Sequence, residues 1–222
     1  GSLVPLFILA AAGLLMWLIF LSAPMEGKRK TKEKTTDWGF LKSKKFWLLT
    51  GLLFCQNAAE FSVNGWMVTY FKDSGIISGM LSTYTVTVMW TATLIARMLI
   101  AFVFPIKNSY SAMIKMGAGC IVFYLGMMMA GSQIPAILLL FAFAFAMAGM
   151  NPTAVASAGK MTSATSIGVM LPAASSGAII MPWVTGIISQ YAGLSVGMAS
   201  NIVPCIGLLV FAVLVKRVSG EE

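Results

Sequence analysis

Histidine is absent from this sequence, acids number seven, and charged residues make up 10% of its 222 positions. Cys55, Cys120 and Cys205 each stand alone inside an apolar stretch. Without histidine or paired cysteines there is no zinc-ligand spacing and no disulfide framework, so no metal site is expected. No glycine-rich phosphate loop follows a strand pattern, and no nucleophile is paired with a base, so neither a cofactor nor an enzymatic reaction is expected. A soluble domain carries about 25% charged residues; at 59% hydrophobic this chain is no water-soluble monomer. What charge there is gathers in one place, with 11 charged side chains between Glu26 and Lys45. The formal net charge of +8 therefore points to lipid at the cytoplasmic face and not to nucleic acid.

What the chain has in abundance is long apolar runs. A bilayer core about 30 Å thick takes about 20 apolar residues per helix, and on that ruler the expected spans are 3–23, 47–71, 79–105, 111–131, 134–157, 164–190 and 195–215. The fold class expected is an all-α membrane protein with seven transmembrane helices. A basic linker over 24–46 separates the first span from the other six, which fill 47–217, and a short tail covers 218–222. Every other connection is short. If the linker is cytoplasmic, thirteen of the fifteen lysines and arginines lie inside, Lys72 lies outside and Arg97 lies within the third span. That bias puts the N-terminus of the chain outside and its C-terminus in the cytoplasm. Lys107, Lys115, Lys160, Lys216 and Arg217 are expected to be interfacial anchors. The chain opens on Gly1-Ser2, and the run from Leu3 has no basic segment before it and stays apolar too long for a signal peptide. It is expected to be a fragment of something longer.

Two ionisable residues are not anchors. Glu60 lies about 20 Å into the second span at about 1.5 Å per residue, a depth at which a carboxylate must face protein or water. Gln56, Asn57, Glu60 and Asn64 fall within one arc of roughly 100° on a helical wheel, a polar stripe open to two uses: a solvated pathway, or hydrogen bonding between helices. In the third span Thr83, Trp90, Thr93 and Arg97 share a face. Glu60 and Arg97 are expected to neutralise one another in at least one conformation, the alternatives being an Arg97 that reaches the surface or bonds backbone at a loop. The sixth span carries Gly168, Pro172, Ser175, Ser176, Gly177, Pro182 and Gly186, too many breakers for a straight helix. The fifth ends in Gly149-Met150-Asn151-Pro152. Asn151, Pro152, Pro172, Gly177 and Pro182 are the candidate helix-break or gating positions, although small residues also serve close crossing. The first, fourth and seventh spans lack a central charge, and this three-helix period predicts two inverted triplets.

These pieces resemble the major facilitator superfamily of transporters: a lone helix, a basic linker and two triplets, with AAEFSVNGWMVTYF in the second span, TLIARMLIAF in the third and MNPTAVASAGKMTSATSIGVMLPAASSGAIIMPWVTGIISQYAG across the fifth and sixth. The last is similar to the sugar-permease branch that includes fucose and glucose/galactose symporters. Where many relatives carry Gly-Arg and an acidic-basic loop, this chain has Ala96-Arg97 and then FPIKNS. The resemblance implies the C-terminal half of an alternating-access transporter plus the preceding helix, residues 1–23, in the cell (inner) membrane. The missing N-terminal half would be its partner and a small polar solute, a sugar on this likeness, its substrate. Substrate contact then falls to Gln56, Asn57, Glu60, Asn64 and Trp90, with Trp66 off the stripe. Glu60 is open to three roles: coupling a proton, binding solute, or pairing with Arg97. A proton-linked drug or metabolite exporter is the alternative. A seven-helix receptor or retinal protein is remote, since the last span has no central lysine.

Overall fold

A computed structural model describes residues 3–22, 38–159 and 164–220, and every regular element among them is helical. Most of the basic linker, Lys160 and the last two residues lie outside the described residues. The chain divides into two units, 1–37 and 38–222. The first holds α1 (Leu3–Ser22), twenty residues without a charge, whose Ser22 hydroxyl donates to the Leu18 carbonyl at 2.7 Å.

The second unit opens with a single 3-10 turn, Gly39–Lys42, and α2 (Lys44–Asp73). Ser43 caps α2 by accepting from the Phe46 N–H, and Gly75, at φ +66°, turns the chain away after it. Then come α3 (Gly79–Ser82), α4 (Thr85–Phe102) and α5 (Ser109–Met128), the last capped by the Asn108 side chain on Ser111 N–H at 3.0 Å. The remaining elements are α6 (Gln133–Met147), α7 (Met150–Gly159), α8 (Ala164–Ser175), α9 (Gly177–Ala192), α10 (Leu194–Ala199) and α11 (Ile202–Gly220).

Five helices among the described residues are long and apolar enough to cross a bilayer: Thr85–Phe102, Ser109–Met128, Gln133–Gly159, Thr165–Ala192 and Leu194–Gly220. That is the make-up of a multi-pass membrane protein. The 30-residue α2 is long enough but not apolar enough, because Gln56, Asn57, Glu60 and Asn64 dilute it. It is nonetheless the hub. Leu49, Leu52, Leu53, Ala59, Val63, Met67 and Phe71 are buried around it, and α4, α7, α8, α9, α10 and α11 all pack on it. A helix enclosed by others can carry polar groups that a lipid-facing helix cannot.

Helix order across the unit follows from named contacts. An added Cβ at Gly51 would stand 2.7 Å from the Phe211 ring, one at Gly207 would stand 2.6 Å from Cys55 Sγ, and Asn201 Nδ2 donates to Ala59 O at 3.2 Å. So α2 and α11 run antiparallel in tight register. Gly117 against the Leu209 backbone and Tyr124 Oη on Met198 O (2.6 Å) make α5 and α11 antiparallel as well. The starts of α2 and α5 and the end of α11 therefore share one end of the bundle, with Lys45 over the Tyr110 ring at 6.0 Å. Lys42, Lys44, Lys45, Lys107, Lys216 and Arg217 gather there, while Lys72 and Asp73 lie at the other end.

Four expected spans are broken helices. The third is split at Thr83-Tyr84, the fifth at Ala148-Gly149, the sixth at Ser176 and the seventh at Ser200-Asn201. Within the seventh, Pro204 has no N–H for the Ser200 carbonyl, which takes Val203 N–H instead at 3.1 Å. Of the methionine run in α5, Met127 is buried and Met129 exposed.

Candidate functional site: the polar face of α2 and α4 at two helix breaks

The breaks in α6/α7 and α8/α9 leave backbone carbonyls without their helical partners, and side chains from α2 and α4 supply donors. Pro152 removes the N–H that would bond the carbonyl four residues earlier, Ala148 O. Arg97 Nε donates to that carbonyl at 3.2 Å. At the second break Asn57 Nδ2 donates to Ala174 O at 3.2 Å, near the end of α8. Around Pro182, inside α9, Trp66 Nε1 donates to the Pro182 carbonyl at 2.9 Å. The Ser175 and Ser176 hydroxyls return to Leu171 O (2.8 Å) and Ala173 O (2.7 Å). Broken backbone persists at membrane depth where such donors stand ready.

Between the breaks runs an amide relay. Asn151 Nδ2 donates to Gln56 Oε1 at 3.2 Å, and Gln56 Nε2 donates in turn to the Glu60 carboxylate. Gln56 is buried and Glu60 half-buried. Glu60 is half-buried and Arg97 exposed, and the two do not pair in this structure. The arginine has a neutral carbonyl and the acid a neutral amide, the backbone alternative for Arg97 set out from the sequence. A cleft of about 330 Å³ opens at Arg97, lined also by Ile100, Ala101, Asn151 and Pro152.

The other expected site residues divide. Asn64 Oδ1 is buried with no protein partner. Trp90 is exposed on α4 while Thr93, on the same expected face, is buried. Trp66, set off the stripe, ties α2 to α9 through the Pro182 carbonyl. Gly177 is a close-crossing position: a Cβ there would meet the Phe54 carbonyl oxygen and stand 3.2 Å from Ala58 N. Pro172 lies exposed inside α8. Sequence reasoning missed the Ser62–Thr185 hydroxyl pair (2.9 Å), which ties α2 to α9, and gave little weight to Asn201, which is fully buried and ties α11 to α2. A small polar residue inside an apolar span was the available signal, and it does not say which helix it faces.

No family model and no curated protein matches the chain.

Proposed function

We propose that this chain is part of a secondary active transporter of major facilitator type, moving a small polar solute by alternating access. It would be the six-helix C-terminal half, 47–217, with the last helix of the N-terminal half before it. Counting α1 and α2 with the five apolar helices gives seven spans, the last six as two inverted triplets. The membrane is the cell membrane, and the basic end of the bundle is its cytoplasmic side by the bias of Lys and Arg toward that face. The observation that carries this proposal is the meeting of two broken helices with the polar face of α2 and α4 beside an open cleft. Transporters build solute sites from discontinuous helices at such places.

Within that class a sugar symporter comes first. Asn151 lines the cleft, Asn64 keeps an amide oxygen with no protein partner, and the exposed Trp90 offers a face for a sugar ring. The rival is a proton-linked exporter of drugs or metabolites, favoured by the apolar share of the cleft, Ile100, Ala101 and Pro152. The isolated chain would transport nothing without its other half.

The test is uptake by the full-length protein in proteoliposomes. If Glu60 couples a proton, Glu60→Gln abolishes proton-driven uptake and spares counterflow. Loss of both assigns Glu60 to solute binding, and neither driven uptake nor counterflow by the unaltered protein across a sugar and drug panel contradicts the transporter proposal.

A further inference from the structure

At the basic end of the bundle a groove of about 460 Å³ lies between α5 and α11, lined by Ile114, Val213, Lys216, Arg217 and Gly220. At about 100° per residue, Val213 and Gly220 fall on one line of α11, with Lys216 some 50° to one side and Arg217 some 50° to the other. Two cations therefore flank an apolar floor. A Cβ added at Gly220 would meet nothing within 4 Å, so the floor is open there. Below Arg217 the same side of α11 exposes Leu214, Val210, Ile206 and Val203, spaced three and four apart. This apolar stripe is uninterrupted and leads up to the two charges.

Among the described residues no acid lies at this end of the bundle. The acids among the described residues are Glu60 and Asp73, one in the middle of α2 and one at its far end, and α11 runs antiparallel to α2. Glu221 and Glu222 follow in the sequence but lie outside the described residues. An anionic head at the height of Lys216 and Arg217 with a hydrocarbon chain below it has the chemistry of a phospholipid carrying net negative charge. Basic pockets between transmembrane helices hold such headgroups. A zwitterionic lipid brings its own cation to the same place and gains little.

We infer that the α5–α11 groove is a binding site for one anionic phospholipid, its phosphate between Lys216 and Arg217 and an acyl chain along Val213, Val210 and Ile206. The site stands apart from the cleft at Arg97 and does not depend on what the protein transports.

The test is native mass spectrometry of the intact protein in detergent, with phosphatidylglycerol, phosphatidylcholine or soluble glycerol phosphate added in turn. Each basic side chain near the surface strengthens anionic-lipid binding about fivefold, so Lys216→Gln with Arg217→Gln is expected to weaken phosphatidylglycerol retention about 25-fold. Lys42→Gln with Lys44→Gln removes as many charges at the same end and leaves retention unchanged. Gly220→Phe keeps both cations but fills the floor, and it also lowers retention. Four results would overturn the assignment: phosphatidylcholine held as well as phosphatidylglycerol, glycerol phosphate held as well as the lipid, the Lys42/Lys44 variant losing as much as the Lys216/Arg217 variant, or Gly220→Phe binding normally.

Discussion

A proline exposes the carbonyl four residues behind it, and at Pro152 that carbonyl is met by Arg97. The two residues are 55 positions apart, yet each supplies a reason for the other. A buried acceptor left without a donor costs about 1–3 kcal/mol, so Arg97→Leu should destabilise the fold by about that much. In a Pro152→Ala background the restored N–H can satisfy Ala148 O, and the same arginine change should cost clearly less. Reversible unfolding in mixed micelles measures both, and strictly additive effects would show that the bond does not matter. Glu60 and Arg97 were both legible in the sequence, because two charges at mid-span stand out against an apolar background. Gln56, the partner of Glu60, was on the same stripe, but the particular carbonyl that Arg97 meets was not legible. Depth gives height along a helix and the wheel gives a direction, but neither reveals that a missing N–H on another helix has created an acceptor there.

Among elements, the breaks matter more than the helices. Pro152, Pro172, Pro182 and the Ser175-Ser176-Gly177 run marked the fifth and sixth spans as broken, and the structure breaks them at Ala148-Gly149 and Ser176. The divisions at Thr83-Tyr84 and Ser200-Asn201 were not foreseen. In the seventh span the signal was Pro204, mid-way along 195–215, which has no N–H for the Ser200 carbonyl. Close crossings were half legible, since a glycine in a span is equally a kink and a contact. Gly177 and Gly168 separate the two cases. A side chain at Gly177 meets the Phe54 carbonyl, whereas one at Gly168 meets nothing within 4 Å. Gly177→Ala should therefore destabilise the α2–α9 pair by about 1–3 kcal/mol through overpacking, while Gly168→Ala should stay within about 0.5 kcal/mol of the parent. Thermal unfolding of the two variants side by side decides it. An equal effect at both sites would remove the close-crossing role from Gly177.

For the whole molecule, composition gave the class: an all-helical chain with several membrane-crossing helices. It did not give the arrangement, in which the least apolar helix, α2, is the one most enclosed. The physical reason is the inverted economy of a bilayer protein, where polar groups are tolerated in proportion to how much protein surrounds them. Basic residues at one end of the bundle, a polar seam through its middle and two broken helices against that seam are the features on which the proposed alternating access rests. The central claim is that the open side of α4 borders water and not acyl chains. Trp90 on α4 is 49% exposed and Ile206 on α11 is 47% exposed, a matched pair for the test. The deciding measurement is reaction of Trp90→Cys and Ile206→Cys with a membrane-impermeant thiol reagent, in the intact protein in vesicles, against the same protein without either change; Cys55, Cys120 and Cys205 are buried. The expected result is rapid labelling at position 90, slowed by transported solute, and none at position 206. Equal silence at both positions would mean that α4 faces lipid, and it would contradict the account.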